Sequence, residues 1–364
     1  MQFDEIRRGP RSGLRKPRPA PPAHAFLQPT FEPNPGNLRM FLYVPNGLKA
    51  GAPLVVALHG CGQTAAGYGL EAGWGQLADE FGFALLAPEQ KAVNNPHTCF
   101  NWFNPEDSAR GAGEAASIAA MIQMALESHR LDARRVFISG LSAGGAMTSV
   151  MLATYPELFA GGAIIAGLPY GAAVNVRDAL ETMRSAPLRT PREWGDAVRA
   201  ASPIAGPWPR ISIWHGALDT TVNINNAQAC LAQWADLNDL SLADARQEMM
   251  QGAVRLSWGD RLEIYTLPLM GHGVPIDSGD VGIAAPFVLE AGMSSSRRIA
   301  EFWGLVPAFA RAQPGVKPQA SDPDAFRPAL PDIEAAFQLT QAAKEHETLI
   351  RRCLRAVGLG KARS

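Results

Sequence analysis

A serine, an aspartate and a histidine in this chain have the types and spacing of a nucleophile, an orienting acid and a base. Ser142 is the centre of Gly140-Leu141-Ser142-Ala143-Gly144, a G-x-S-x-G pattern. The pattern alone is modest, because a Gly/Ser-rich helix entry with no chemistry reads the same way. Its surroundings are more specific: the apolar run Val136–Ser139 precedes it, and a helical segment from Gly145 to about Thr154 follows. A nucleophile elbow needs this strand–turn–helix order. Small residues at Gly140 and Gly144 allow a sharp turn that lifts the hydroxyl clear, and the helix N-terminus offers free N–H groups.

A serine hydroxyl needs a base, and the base needs a group that orients it. In one known chain order the acid follows the serine and the base follows the acid. Here the run Ile211–His215 leads into Gly216-Ala217-Leu218-Asp219, and the run Leu262–Leu267 leads through Pro268-Leu269-Met270-Gly271 to His272. Both lie just past a strand, where an open α/β sheet binds its ligands. Glycines at 271 and 273 let His272 approach closely. Asp178, Asp196, Asp236 and Asp239 fall in helical or loop stretches, and Glu263 lies inside a strand. His24, His129 and His346 lie in an arm or on helices. His59 and His215 stand at strand ends, where a histidine is usually a structural hydrogen-bonder. His97, in a loop, is a candidate for the substrate site. An oxyanion hole needs backbone donors from the residue after the nucleophile, Ala143, and from a loop after an early strand. In Leu58-His59-Gly60-Cys61-Gly62, Cys61 supplies the second. Trp102 and Phe103 are candidates for an aromatic substrate wall, against a reading as loop hydrophobes packed on the core.

These residues must be positioned by a sheet. Short, unalternated apolar runs at Leu54–Leu58, Phe83–Ala87, Val136–Ser139, Ala163–Ala166, Ile211–His215 and Leu262–Leu267 suit strands buried on both faces. Asn37–Val44 adds an earlier strand. Between them lie helical segments; in Glu114–His129 the residues Ile118, Met121, Ile122, Ala125 and Leu126 repeat at helical spacing. The expectation is an α/β fold: a doubly wound, mostly parallel sheet with helices on both faces, plus a C-terminal helix.

The chain has 364 residues, with 33 Lys+Arg against 34 Asp+Glu, and 47% hydrophobic residues. That is a globular balance. A net charge of −1 argues against a nucleic-acid partner. Without an apolar run of about eighteen residues, no membrane span is expected. Four cysteines with no C-x-x-C pair give neither a disulfide scaffold nor a zinc site, and no metal or cofactor is expected. Residues 1–36 read as a Pro/Arg-rich disordered arm with no apolar signal-peptide segment. Residues 37–312 read as the catalytic domain. Residues 313–364 read as a Pro-rich linker and a helix, Asp332–Val357, that packs on the domain or on a second subunit. Partners for Cys230 and Cys353, and the oligomeric state, are not legible.

With these residues placed, the chain resembles the poly(3-hydroxybutyrate) depolymerase family of esterases, which is related to feruloyl and acetylxylan esterases. The resemblance rests on Leu58-His-Gly-Cys-Gly-Gln63, Thr98-Cys-Phe-Asn-Trp-Phe103, Gly140-Leu-Ser-Ala-Gly-Gly145, Trp214-His-Gly-Ala-Leu-Asp219, Met270-Gly-His-Gly273 and Ala285-Pro-Phe-Val288. It implies an α/β-hydrolase fold, Ser142, Asp219 and His272 as catalytic residues, and Cys61 and Ala143 as oxyanion donors. It also implies a Cys61–Cys99 disulfide, which needs an oxidising compartment. Family members are often secreted, so an extracellular location is favoured although no signal peptide is seen. The expected function is serine esterase action through an acyl-enzyme on poly- or oligo(3-hydroxybutyrate). The lack of a separate substrate-binding module after Leu305 favours oligomers or amorphous polymer. Alternatives are a feruloyl or acetyl esterase on plant polysaccharide, and a non-catalytic binding protein of the same fold. The complete Ser, Asp and His set argues against the last.

Overall fold

The computed structural model describes residues 26–307. The strands are β1 (Arg39–Tyr43), β2 (Leu54–Leu58), β3 (Ala84–Glu89), β4 (Val136–Leu141), β5 (Gly161–Ile165), β6 (Arg210–Gly216), β7 (Arg246–Met250), β8 (Ala253–Trp258), β9 (Leu262–Leu267), β10 (Val274–Ile276) and β11 (Val288–Glu290). The helices are α1 (Ala65–Glu71), α2 (Trp74–Phe81), α3 (Pro105–Ser108), α4 (Gly113–His129), α5 (Ala143–Thr154), α6 (Val176–Arg184), α7 (Pro191–Ala201), α8 (Asn225–Leu237) and α9 (Ser295–Phe302).

Among the described residues, β1 to β9 form one sheet in the order β1-β3-β2-β4-β5-β6-β9-β8-β7. The middle of it, from β3 to β9, is parallel. The edges are antiparallel, β1 on β3 and the β7–β8 hairpin on β9. The central strands β2, β3, β4 and β5 are buried at every position, as strands covered by helices on both faces must be. One core layer joins Val56, Ile138, Ile164 and Ile213 to α4, α5 and α8. The opposite layer joins Val55, Phe137, Ile165 and Trp214 to α1, α2 and α9. Each buried aliphatic side chain contributes roughly 1.5–3 kcal/mol. Local signals set the helix ends: Thr64 caps α1, Asn175 caps α6, and Thr190 and Glu193 form a capping box on α7.

The boundary at residue 36 moves. Phe31 is buried in the core, Leu27 exchanges backbone hydrogen bonds with Leu42, and Gly36 N–H donates to Ser117 Oγ. Residues 26–36 therefore pack on the domain, because their apolar side chains find a groove that a Pro-rich composition does not announce. The expected C-terminal linker and helix, and residues 1–25, lie outside the described residues. No described helix is long and apolar enough to cross a membrane.

Candidate active site

The register lines up the ends of the central strands. Leu141 pairs with Ile165, Ile165 with Trp214, and Trp214 with Tyr265. Ser142 follows the first of these positions directly, while Asp219 and His272 come from the loops after β6 and β9. All three candidates thus emerge at the C-terminal edge of the parallel strands, as the sequence pattern anticipated.

Ser142 joins β4 to α5 with φ 57° and ψ −117°, a conformation costly for a residue with a side chain. It is held by Ser142 N–H donating to Ile165 O at 2.9 Å and by Ala146 N–H donating to Ser142 O at 2.8 Å. Gly144 is required by close approach: a Cβ there would lie 2.3 Å from Leu58 O and 2.5 Å from His59 O. The elbow is therefore pressed against the end of β2, from which Cys61 follows. Ala143 is the first residue of α5, where N–H groups have no partner inside the helix.

The loop after β2 is fixed from several sides. His59 is fully buried; its Nδ1–H donates to Gly60 O at 2.8 Å and its Nε2 accepts from Gln90 N–H at 3.1 Å. Burial holds the His59 imidazole below its ordinary range. Gly60 N–H donates to Gln63 Oε1 at 2.8 Å, and Gly62 N–H to His97 O at 2.9 Å. Cys61 and Cys99 are joined in a disulfide. Behind them Glu114 accepts from Gln90 Nε2, from Asn101 N–H at 2.9 Å and from Asn101 Nδ2 at 2.8 Å. Burial, with the charge of Asp107, pushes its carboxyl up to about 8 against those donors. His59 thus serves as the structural hydrogen-bonder its strand-end position suggests, whereas Gln90 and Glu114 were not singled out from sequence. One signal was available for Glu114: it falls on the buried stripe of α4, four residues before Ile118.

Asp219 and His272 are brought together. His272 Nδ1 lies 2.7 Å from Asp219 Oδ2. Asp219 Oδ1 accepts from Thr221 N–H and Val222 N–H, each at 2.8 Å. Burial alone would raise this carboxyl, but donation from His215, His272 and Val222 N–H and the attraction of His272 hold it well below the usual carboxylate range. The two loops are packed backbone to backbone. A Cβ on Gly216 would sit 2.3 Å from Met270 O, and Leu218 N–H donates to Met270 O at 2.9 Å. Four of the five competing carboxylates are engaged elsewhere: Asp236 with Arg199, Asp196 with Arg199, Asp178 with Asn175, and Glu263 with Ser212 and Arg255.

The expected aromatic wall needs a correction. Trp102 is only 8% exposed and belongs to the core cluster, which fits the packing reading better than the wall reading. Phe103 meets it edge to face at 5.6 Å between centroids. Phe103 lines a cavity of about 510 Å³ with Asn101, Asn104, Asp107, Glu114 and Val174. The His97 side chain is exposed, and the residue reaches the site's loops through its carbonyl. The sequence reading missed Phe287, whose ring stands edge to face with His272 at 6.1 Å between centroids. It also missed the exposed Leu218 and Leu269, next to the acid and the histidine.

Comparison with known proteins identifies relatives of this chain. Residues 38–256 match the esterase PHB depolymerase family. The chain is 42% identical over 286 residues to poly(3-hydroxyalkanoate) depolymerase C of Paucimonas lemoignei, covering 76% of this chain and 69% of that one. It is 35% identical over 283 residues to an acetylxylan esterase of Coprinopsis cinerea, covering 74% and 75%. It is 36% identical over 252 residues to feruloyl esterase B of Neurospora crassa, covering 66% and 85%. Among solved structures, an acetyl xylan esterase from Aspergillus awamori superposes with a TM-score of 0.67 at 26% identity, covering 78% of this chain and all of that one. The fold is that of the α/β-hydrolases, and the chain belongs to the esterase PHB depolymerase family, a carboxylic ester hydrolase.

Proposed function

We propose that Ser142, His272 and Asp219 are the nucleophile, base and orienting acid of a two-step ester hydrolysis, with the N–H groups of Cys61 and Ala143 as oxyanion donors. The observation that carries this reading is the Ser142 elbow, at φ 57° and ψ −117°, on the same sheet edge as the His272–Asp219 hydrogen bond of 2.7 Å. His272 Nδ1–H donates to Asp219, which leaves Nε2 as the ring's base. Nε2 takes the Ser142 proton as Oγ attacks the ester carbonyl carbon. The tetrahedral oxyanion accepts from the Cys61 and Ala143 N–H groups. It collapses, the C–O bond to the alcohol breaks, and His272 returns its proton to the leaving oxygen. Water then repeats the sequence on the acyl-enzyme and frees the acid.

The substrate proposed is a hydroxyalkanoate ester, as oligomer or polymer. It is supported by the 42% identity to a poly(3-hydroxyalkanoate) depolymerase and by the exposed apolar side chains of Leu218, Leu269 and Phe287 beside Asp219 and His272. A second reading, an acetyl or feruloyl esterase on polysaccharide, is favoured by the cavity beside Phe103. Its Asn and Asp side chains suit a hydroxyl-bearing alcohol. The disulfide supports an oxidising, extracellular location.

The test is a hydrolysis panel of 3-hydroxybutyrate oligomers, amorphous polymer, acetylated xylan and methyl ferulate, run with wild type and Ser142→Ala. Turnover of the hydroxybutyrate esters, lost in Ser142→Ala along with fluorophosphonate labelling, is the expected result. Preference for the glycan esters would select the second reading. Labelling that persists in Ser142→Ala would remove the nucleophile assignment.

A further inference from the structure

His215 stands one residue before the end of β6 and is 2% exposed. Along this strand Ile211 and Ile213 fill one core layer and Trp214 the other. The alternation turns His215 to the side of Ile213, under the loop that carries Asp219. Its Nε2 lies 2.8 Å from Val222 O and 3.3 Å from Asp219 Oδ2. Both neighbours are acceptors, so the hydrogen belongs on Nε2. Nδ1 is buried with no hydrogen-bond partner, so the ring offers the site its Nε2–H alone.

These contacts close a small ring of groups. Val222 gives its N–H to Asp219 Oδ1 at 2.8 Å and accepts from His215 through its carbonyl. Asp219 Oδ1 is thus held by backbone, whereas Oδ2 has two imidazoles, His272 at 2.7 Å and His215 at 3.3 Å. The first of these must change protonation in every turnover if Asp219 orients it. A carboxylate held on one oxygen only can swing the other. The geometry points to His215 as a positioning residue of ester hydrolysis: its Nε2–H is hydrogen-bonded to Val222 O, whose residue holds Asp219 Oδ1, and lies 3.3 Å from Asp219 Oδ2, so it steadies the Asp219 carboxylate from both oxygens and through it the ring plane of His272. The inference rests on the proposed triad. His215 has no part in the proton transfers and touches no substrate.

The consequences separate positioning from packing. Removing the His215 donor leaves the Asp219 charge shared among fewer partners, so its attraction for a charged His272 grows. The neutral imidazole is then reached at higher pH, and the acid limb of the kcat/KM profile moves up by about half a pH unit. In His215→Leu, kcat falls roughly 10- to 100-fold while KM stays within about twofold, because misorientation acts in the transition state. In His215→Gln the side-chain amide nitrogen takes the place of Nε2, and kcat recovers to within about fivefold of wild type. In His215→Asn the nitrogen takes the place of Nδ1, where no acceptor stands, and the variant behaves as His215→Leu does.

The experiment is steady-state kinetics across pH on these three variants of the full chain, with thermal unfolding measured in parallel. Recovery by Gln but not by Asn, with the limb shifted in Leu and Asn, is the expected result. Either of two outcomes overturns the inference: Leu within twofold of wild-type kcat, or Gln and Asn losing activity equally with an unshifted limb. A purely structural histidine gives the second pattern with a lowered Tm. Should His215→Leu fail to fold, the Gln–Asn pair alone decides. Ser142→Ala and Asp219→Asn in the same series tell the two failures apart: if they keep turnover the triad reading falls, and if they lose it while His215→Leu does not, only the positioning role falls.

Discussion

The loop after β2 and the loops after β6 and β9 face one another across Ser142, and they are held by different means. Around Cys61 the chain is fixed by a disulfide to Cys99 and by the buried His59, Gln90 and Glu114. Around His272 it is fixed by hydrogen bonds and close backbone packing, with no cross-link among the described residues, at the edge of an exposed apolar rim where Leu269 is 91% exposed. The contrast fits the proposed work of each side. A backbone N–H aimed at a developing oxyanion has no torsion of its own to adjust, so its position must be built into the chain. A base that takes and returns a proton needs partners that strengthen and relax with its charge, which hydrogen bonds supply.

Breaking the hydrogen-bonded side should have the largest effect. Asp219→Asn keeps the shape but favours the wrong tautomer of His272, and kcat should fall on the order of 10⁴-fold with KM little changed, as in serine-protease triads. Asp236→Asn, on α8 and paired with Arg199, should stay near wild type. Steady-state kinetics on both variants checks this, and near-full turnover in Asp219→Asn would reassign the acid.

Breaking the bridged side should cost less in rate and more in stability. Cys99→Ser releases a cross-link spanning 38 residues, worth up to about 4 kcal/mol on a chain-entropy account. Cys61 remains pressed near the elbow by Gly60, Gln63 and the Gly62–His97 hydrogen bond, so kcat should fall about tenfold, not the 10²–10³ of a lost donor. Reductant should lower the Tm of wild type and leave that of Cys99→Ser unchanged. Cys61 and Cys99 both found as free thiols in protein made under oxidising conditions, with Tm insensitive to reductant, would contradict the expectation.

The two sides also differed in how far the sequence revealed them. Ser142, Asp219 and His272 were legible because each follows a buried strand and the elbow needs glycines that few other turns require. Cys61 was legible as a loop position, but its surroundings were not. Gln90 and Glu114 become polar partners of that loop only when β3 and α4 pack beside β2, a tertiary event without local signature. Trp102 shows the same limit in reverse: a loop tryptophan reads equally well as wall or as core, and only the fold shows that it is buried in the core cluster. The β7–β8 hairpin passed unseen because Arg246-Gln-Glu-Met-Met250 is an exposed edge with no apolar run. His215 was seen, but its contact with Asp219 required knowing that Val222 folds back over it.

The smallest expected effect on rate sharpens the comparison through pH. Glu114, at about 8, binds its proton more tightly in the folded chain than in the unfolded one, where it titrates in the ordinary carboxylate range. Between those limits the folded state carries more protons, so stability falls as pH rises from about 5 through 8. The fall should amount to a few kcal/mol at most. Asp219 behaves oppositely: held well below the usual range, it stays ionised throughout this window and contributes no slope there. Alkaline pH should therefore loosen the bridged side and spare the hydrogen-bonded side. Glu114→Gln cannot acquire the charge, but its amide has one oxygen for the donors of Gln90 and Asn101 and turns an N–H₂ toward one of them. At pH 6 the variant should be about 1–2 kcal/mol less stable than wild type, with kcat within a fewfold. As pH rises from 6 through 8 the wild type loses stability and the variant does not, so the gap between them should close. Denaturant unfolding of both proteins at pH 6 and pH 9 measures that gap. A gap equal at the two pH values would mean that Glu114 is ionised throughout, and that its N–H donors outweigh its burial.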